Sequence, residues 1–310
     1  MARIGIRQFK VEVIVGLRFN VAMPLYSGIL RYVREHPGWQ TKLVSAYSDR
    51  VQFPGGEAEP DGFLSLCDAN DFELDQRLRS LKKPKVTFFG DIPHAIVPTV
   101  ALDEPAIGRA AAGHLLTRGF AAFAYCGSDA AWSRGRAEGF CQAVVEAGIP
   151  TPDLMRGAGV DGFPILKELT ASKLLRWLKR LTRPIGVMAH NDDLGIAVIS
   201  AALSLGLRIP GQIAIVGVDD DQVKCESAPV ALSSVDPDLP SVGYRSAEIL
   251  DALLEGRAPP TAPPTVSPLG VKARASTEVL AFADPEVRHA VRFIRDHACE
   301  GIKVSDVANR

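Results

Sequence analysis

The residues best suited to chemistry in this sequence are polar side chains that each follow a short, apolar, strand-like run. They are Asn20, Asp103, Trp132, Arg136, Asn191 and Asp219. Ligands of open α/β sheets bind beyond the carboxyl ends of the strands, so side chains placed there favour a binding site. An ionised aspartate accepts hydroxyl protons, an arginine donates several N–H groups, and a flat indole covers the apolar face of a sugar. This mixture predicts a carbohydrate site.

Each of these residues also has a plainer interpretation. Trp132 equally suits core or lid packing, and Arg136 equally suits an exposed helix surface. The aspartates at 192–193 and 219–221 suit loop solvation and helix capping, ligand binding or, as paired carboxylates, hydrolysis. Adjacent residues rarely point at one atom, which favours capping over catalysis, while their position after strands favours binding. The residues alone leave these alternatives open.

The familiar enzyme and nucleotide motifs are absent or out of context. The sequence has no GxxxxGK[ST], HExxH or GxSxG, and its six histidines lack metal-ligand spacing, so each is interpreted as a surface or satisfied core group. Gly157, Gly159 and Gly162 spell GxGxxG, but IPTPDLMR before them contains two prolines and no strand pattern, which predicts a flexible loop. We therefore expect no enzyme, no metal and no cofactor.

The bulk composition limits the class of protein. A length of 310 residues indicates two or three folding units, and 47% hydrophobic with 23% charged residues is typical of a globular protein. A net charge of −1 provides no overall basic field for nucleic acid. No secretory signal or membrane span is predicted, and five widely spaced cysteines without CxxC favour reduced thiols. These features predict a cytoplasmic protein with no membrane partner.

Short apolar runs alternate with helical patterns, which predicts parallel sheets with right-handed crossovers. The predicted strands are Val11–Leu17, Thr41–Ala46, Gly62–Leu66, Lys85–Phe89, Ala121–Cys126, Ile185–Ala189 and Ile213–Val218. The predicted helices are Leu25–Glu35, Asp71–Ser80, Pro105–Thr117, Arg134–Ala147, Ala171–Arg180 and Asp193–Ser204. Glycines at 119, 148 and 206 are placed to end helices. The length fits two α/β lobes better than one very wide sheet.

The pattern changes towards the C-terminal part. Arg257–Gly270 contains five prolines in fourteen residues, which predicts an extended crossing or surface connection instead of a central strand or helix. Asp284 and Pro285 then begin a helix, as N-cap and first helical residue. Ser305 is placed to cap a second helix, Asp306–Arg310. Residues 284–310 therefore predict the first helices of a third domain, within which the sequence ends.

Several segments resemble a known family. HNDDLGIAVISAALSLGLRIPGQIAIVGVDDD resembles the second lobe of LacI-type, periplasmic-binding-protein-like regulators, and LDEPAIGRAAAGHLLTRGF and WSRGRAEGF resemble other segments of that family. The resemblance implies an α/β, type I periplasmic-binding-protein-like fold: two doubly wound parallel-sheet lobes with a hinge. It implies that Arg136, Asn191 and Asp219 contact the effector, with Asp103 and Trp132 less closely matched.

The same resemblance implies domain limits. Residues 1–283 would be the effector-binding domain. Its N-lobe would comprise residues 10–102 and 237–265, its C-lobe would comprise residues 103–236 and 266–283, and the effector would lie between the lobes.

The tail resembles a second family. DPEVRHAVRFIRDHACEGIKVSDVA is similar to the opening of an AraC-type helix-turn-helix domain, and SVDPDLPSVGYRSAEILDALLEG resembles bacterial xylose-operon regulators, which join a LacI-type sensor to such a domain. The resemblance implies a sugar-responsive transcription regulator whose effector is xylose or a similar monosaccharide. The two lobes of the regulator would close on this ligand. The resemblance also implies a homodimer that binds operator DNA through C-terminal domains. A periplasmic sugar-binding protein of a transporter would have the same fold and is the alternative function.

Overall fold

The structure is a computed structural model that describes residues 8–15, 21–45, 59–66, 80, 82–89, 97–157, 168–278, 284–297 and 301–308. The chain divides into two compact units, each built from two segments. Unit 1 comprises Met1–Asp103 and Pro237–Leu269, and unit 2 comprises Glu104–Asp236 and Gly270–Arg310. The chain therefore passes from one unit to the other three times.

Strands and helices alternate along most of the described chain. The strands are β1 Phe9–Val15, β2 Trp39–Ser45, β3 Gly62–Leu66, β4 Lys85–Phe88, β5 Thr99–Leu102, β6 Phe123–Cys126, β7 Asp153–Met155, β8 Ile185–Ala189, β9 Ile213–Val218, β10 Ser233–Asp236, β11 Thr265–Val266 and β12 Gly270–Lys272. The helices are α1 Ala22–Glu35, α2 Glu104–Leu116, α3 Ala131–Glu146, α4 Glu168–Arg180, α5 Asp192–Ser204, α6 Gln222–Ser227, α7 Leu239–Leu254, α8 Pro285–His297 and α9 Val304–Ala308. A 3-10 turn covers Ala275–Thr277.

Each unit contains one six-stranded sheet, and the two sheets share one topology. The strand order is β2-β1-β3-β4-β5-β11 in unit 1 and β7-β6-β8-β9-β10-β12 in unit 2. Neighbouring strands are parallel, except for the antiparallel pair β10 and β12. The first strand of each unit has the second strand on one side and the third on the other, and such a switch point is where doubly wound sheets bind ligands. The predicted pair of doubly wound, mainly parallel sheets is confirmed.

Most predicted elements are confirmed. Gly62–Leu66, Ile185–Ala189 and Ile213–Val218 have the bounds that their apolar runs predicted. The three glycines predicted to end helices have φ values of 81°, 77° and 70°, the left-handed conformation of a helix C-terminus. Helix α3 begins at Ala131, three residues before its predicted start. The predicted helix Asp71–Ser80 lies outside the described residues, apart from Ser80.

Two very short edge strands correct the sequence interpretation. Strand β7 precedes Gly157, so the statement that no strand comes before the GxGxxG segment is wrong, while the two later glycines of that segment lie outside the described residues. Strand β11 lies inside the proline-rich stretch, where an edge position tolerates prolines. Val266 pairs with Leu102, and its carbonyl oxygen accepts the Asp103 N–H at 2.9 Å, so all three residues are counted with unit 1. The lobe limits given by the resemblance stay a prediction.

The C-terminal segment agrees with prediction at its start and differs at its end. Asp284 Oδ1 accepts the backbone N–H of Glu286 at 2.8 Å, which confirms Asp284 as the cap of α8. Helix α9 begins at Val304, so the prediction that Ser305 caps it is wrong; the Asp306 carboxylate accepts the Lys303 N–H at 2.8 Å instead. Both helices are grouped with unit 2, and a separate third domain stays a prediction.

Helices α2 and α3 cross with their backbones in contact. A Cβ atom on Gly108 would lie 2.0 Å from the carbonyl oxygen of Arg136, and one on Gly139 would lie 2.0 Å from that of Pro105. A larger residue at either position would push the helices apart, because packed interiors leave no room for the added methyl group. The crossing therefore holds the start of α2, where Glu104 lies, against the first turns of α3.

Two further predictions concern the cysteines and the membrane. Cys126, Cys141 and Cys225 are free thiols, and the first and last of these are buried. Cys67 and Cys299 lie outside the described residues.

Among the helices that the structure describes, none is long and apolar enough to cross a lipid bilayer.

Candidate functional site

The carboxyl ends of three strands in unit 2 carry the candidate site. The loop after β6 leads into α3, whose first two turns hold Trp132 and Arg136. His190 and Asn191 follow β8, and Asp219 follows β9. Strands β6 and β8 flank the switch point of this sheet, so these side chains lie where its topology favours ligand binding.

Arg136 is buried and held from three directions. Its Nε donates to Glu104 Oε2 at 2.6 Å, its Nη1 donates to the carbonyl oxygen of His190, and its Cζ lies 4.8 Å from the centre of the Trp132 ring. The interpretation of Arg136 as an exposed helix residue is wrong, since only 5% of it is exposed. Nη2 has no hydrogen-bond partner among the described residues. A preorganised arginine with one free N–H₂ group is suited to donate to a ligand.

Trp132 packs against polar groups of the site. The centre of its ring lies 4.8 Å from that of the His190 ring, at an interplanar angle of 35°. The same indole contacts the Arg136 guanidinium. The indole is partly exposed, unlike the fully buried aromatic residues of the core such as Phe140. Trp132 therefore provides an aromatic surface next to the arginine, which the sequence predicted as one wall of a carbohydrate site.

His190 belongs to the site although the sequence interpretation treated it as a surface or satisfied core group. Its Nδ1 accepts the backbone N–H of Ser128 at 3.2 Å and lies 3.3 Å from Ser133 Oγ. Because a backbone N–H only donates, Nδ1 is the acceptor and the ring proton is on Nε2. Burial and the nearby Arg136 lower the pKa of His190 to about 3, so the ring is neutral. Nε2–H has no partner among the described residues and remains available as a donor.

Asn191 combines a structural role with a spare donor. Its Oδ1 accepts the backbone N–H of Leu194 at 3.0 Å and caps α5. An N-cap oxygen satisfies one of the free N–H groups at a helix start. The side-chain Nδ2 has no partner within the described part of the chain. The capping interpretation and the binding interpretation of this position are therefore compatible.

Asp219 has the least satisfied carboxylate of the acidic loops. Within the described residues it accepts no hydrogen bond, whereas its own backbone N–H donates to Val235 O at 3.1 Å. Burial raises its pKa to about 7, and Arg136 nearby opposes that rise. Its φ of 110° is uncommon for a residue with a side chain. Strained backbone of this kind is concentrated at functional sites.

The remaining aspartates have structural partners. Asp192 is fully buried and accepts from Ser234 Oγ at 2.6 Å and from the Asp221 N–H at 2.9 Å; burial, together with the charge of Asp219, holds its pKa well above the usual range. Asp221 in turn caps α6 through the Lys224 N–H at 3.1 Å. The capping interpretation of the acidic clusters is therefore right for Asp221, whereas Asp192 joins the start of α5 to β10 and to the residue before α6.

Two other aspartates form ion pairs. The Lys224 ammonium lies 2.6 Å from Asp193 Oδ1, and the Arg274 guanidinium lies 2.6 Å from Asp220 Oδ1. Both carboxylates are thus neutralised by a neighbouring cation. Of the five loop aspartates, Asp219 is the one that is left to accept from a ligand.

Two candidate residues are not among those that unit 2 contributes. Asp103 follows β5 and is counted with unit 1, where its backbone bonds to Val266. Asn20 lies outside the described residues. The structure therefore brings Trp132, Arg136 and Asp219 into one neighbourhood with Asn191, and adds Glu104 and His190 as residues that sequence reasoning missed.

The chemistry of this group is that of recognition. Arg136, His190 and Asn191 each offer a donor, and Asp219 offers an acceptor. Donors and acceptors beside an aromatic ring match the alternating hydroxyl groups and apolar faces of a carbohydrate. The described residues contain no group of three or more potential metal ligands.

Comparison with known proteins identifies the family. The model of the periplasmic binding protein-like domain matches residues 112–277, which is more than half of the chain and includes Trp132, Arg136, Asn191 and Asp219. The chain belongs to this family. A solved structure of a xylose-binding transcription activator has the same fold, with a TM-score of 0.75 and 24% identity over 98% of this chain and 78% of that chain.

Curated relatives of the family are regulators by name. The xylose operon regulatory protein of Haemophilus influenzae is 30% identical over 270 residues, which are 80% of this chain and 68% of the relative. The protein of the same name from Escherichia coli K12 is 29% identical over 253 residues, which are 78% of this chain and 63% of the relative. The chain therefore spans less than two thirds of the length of the Escherichia coli relative.

Proposed function

We propose that this chain is the effector-binding part of a sugar-responsive transcription regulator, with a monosaccharide such as xylose as its effector. The observation that carries the proposal is the group at the switch point of unit 2. There a buried arginine, a neutral histidine and an asparagine each keep a free donor beside an unsatisfied carboxylate and a tryptophan ring. The proposed ligand contacts are Arg136, Asn191, Asp219, Trp132 and His190.

The comparisons support a regulator over a transport protein or an enzyme. The curated relatives are named operon regulators, and a similar structure is named a xylose-binding activator. The resemblances in the sequence add the wider proposal that the whole protein is a cytoplasmic homodimer, which binds operator DNA through AraC-type helix-turn-helix domains after residue 283. Contributions of Asp103 and Asn20 to the ligand, and closure of both lobes on it, stay predictions of the sequence.

Thermal unfolding in the presence of sugars tests the ligand directly. A ligand that binds only the folded state raises the melting temperature, by an amount that depends on its concentration relative to Kd. We expect at least one pentose or hexose in a panel that includes D-xylose, L-arabinose, D-ribose, D-glucose and D-galactose to stabilise the chain. Asp219→Ala should abolish the stabilisation, because it removes the free acceptor.

A matched control separates binding from general damage. Glu138→Gln neutralises an exposed acid on α3, the helix that carries Arg136, and should leave the sugar response unchanged. If no sugar stabilises the wild-type chain, or if Asp219→Ala responds as the wild type does, the proposed site is wrong.

A further inference from the structure

The carboxylate of Glu104 forms an ion pair with Arg136, the arginine of the site. Glu104 Oε2 lies 2.6 Å from Arg136 Nε, and the two side chains are only 14% and 6% exposed. We propose that Glu104 is a specificity-determining residue, which makes the site accept uncharged sugars and reject sugar acids and sugar phosphates. The inference rests on the proposed function, since it specifies the class of sugar that the same site binds.

The charges of the site are already balanced within the protein. The positive charge of Arg136 is neutralised by Glu104, and that of Lys224 by Asp193 at 2.6 Å. His190 is neutral, and Asp219 contributes a partial negative charge. An anionic ligand would therefore lose its hydration without meeting an uncompensated cation among these groups, which is unfavourable. An uncharged polyol does not incur this cost.

The Arg136 guanidinium already has acceptors on two of its three nitrogens. Arginine recognises carboxylates and phosphates most strongly when two adjacent N–H groups bind the two oxygens together. In this structure Nε donates to Glu104 and Nη1 donates to the carbonyl oxygen of His190, so the pair formed by Nε and Nη2 cannot bind one anion together and Nη1 already has an acceptor. Nη2 is the nitrogen without a partner among the described residues, and it suits one hydroxyl or ring oxygen. Glu104 thus orients Arg136 as well as neutralising it.

The crossing of α2 and α3 holds Glu104 in place. A Cβ atom on Gly135 would lie 2.9 Å from Glu104 Cβ, so the absence of a side chain there leaves room for the glutamate. The backbone contacts at Gly108 and Gly139 fix the two helices around it. The pair is therefore a packed contact between two rigid helices, unlike an exposed ion pair between long side chains.

The test compares the affinity of the 310-residue chain for neutral and anionic sugars by isothermal titration calorimetry. The neutral probes are D-xylose and D-glucose, and the anionic probes are D-xylonate, D-glucuronate, D-galacturonate and glucose 6-phosphate. For the wild type we expect every anionic probe to bind at least ~100-fold more weakly than the better neutral probe. Glu104→Gln should reduce this ratio by at least ~10-fold, while Glu138→Gln should leave it unchanged.

The outcomes distinguish the inference from the proposed function. If the wild type binds a sugar acid or sugar phosphate as tightly as the better neutral sugar, charge selection is wrong although the sugar site stands. If Glu104→Gln weakens both classes equally, Glu104 has only a structural role and the inference is overturned. If the wild type binds no anionic probe and no sugar of the thermal-unfolding panel, the proposed function itself fails.

A second variant covers the case in which Glu104→Gln does not fold. Glu104→Asp keeps the negative charge and shortens the side chain by one methylene group. We expect it to weaken binding of the neutral sugar but to keep the wild-type ratio between the two classes. A ratio that shifts towards the anionic probes in Glu104→Asp would overturn the argument from charge.

Discussion

Replacement of Asp219 by asparagine should stabilise the ligand-free protein while weakening its ligand binding. Asparagine has nearly the same shape, tolerates positive φ at least as well as aspartate, and carries no charge. Burial raises the pKa of Asp219 to about 7 from an ordinary value of 3.8. The ionised carboxylate is therefore disfavoured in the folded state relative to the unfolded chain, and Asp219→Asn removes that penalty.

The pH dependence of the effect follows from the direction of this shift. Below pH ~4 both states are protonated at Asp219 and the penalty vanishes. Between pH ~4 and pH ~7 the folded state retains the proton that the unfolded state has lost, so the stability contributed by this group falls as the pH rises. Above pH ~7 both states are ionised and the penalty is complete.

The magnitude is a few kcal/mol. Each pKa unit corresponds to ~1.4 kcal/mol, so the rise from 3.8 to about 7 sets an upper limit of ~4 kcal/mol. Because the side chain is partly exposed, solvent screening reduces the expected gain to ~1–3 kcal/mol at pH 8. A gain of this size corresponds to a rise in melting temperature of ~5 °C.

Urea unfolding of the wild type, Asp219→Asn and the surface control Glu138→Gln at pH 5 and pH 8 measures the effect. We expect Asp219→Asn to be more stable than the wild type at pH 8, and its gain at pH 5 to be less than ~50% of that value. The same variant should lose at least ~10-fold in sugar affinity, since the amide nitrogen cannot accept. Equal gains at both pH values, or a loss of stability at pH 8, would refute the reasoning.

Substitutions of Gly139 and Asn191, each with a matched control variant, probe the scaffold of the site. Gly139→Ala would place a methyl group 2.0 Å from the Pro105 carbonyl oxygen, so we expect urea unfolding to show a loss of ~2–4 kcal/mol. Gly113→Ala on α2 has nothing within 4 Å and should gain up to ~1 kcal/mol; similar effects of the two would contradict the tight crossing. Asn191→Ala should lose ~1 kcal/mol of stability through the missing cap, whereas Asn191→Ser should keep it. Both should weaken sugar binding measured by calorimetry, and an unchanged affinity in Asn191→Ser would exclude the amide as a ligand contact.

The sequence was sufficient for the parts of the fold that depend on local pattern. Ile185–Ala189 and Ile213–Val218 are buried on both faces, and continuous apolar runs of that kind are visible without any knowledge of their neighbours. Edge strands such as β7 and β11 have three and two residues, which is too short for a periodic signal. Their pairing depends on which strand lies beside them, and that information is not local.

The sequence indicated candidate residues at the ends of strands, but it did not indicate Glu104 or His190. Asn191 and Asp219 follow strands, so the general rule for open sheets indicated them. Glu104 also follows a strand closely, but an acid in the first turn of a helix is explained by the helix dipole alone. Its partner Arg136 lies 32 residues away in the sequence, on another helix. His190 follows β8 directly, but its neutral state depends on burial and on Arg136.

The crossing of α2 and α3 in unit 2 has a counterpart in unit 1. There a Cβ atom on Gly28 would lie 1.9 Å from the Pro240 carbonyl oxygen, and one on Gly243 would lie 2.0 Å from that of Leu25, so α1 and α7 also meet backbone to backbone. Both units thus use the same strand order and a glycine-dependent helix crossing. In unit 2, however, the crossing also carries the ion pair that fixes Arg136. Because the crossing needs small residues and the proposed ligand contacts on α3 lie in its first turns, we expect substitutions in those turns to change the ligand class and to leave the sheets intact.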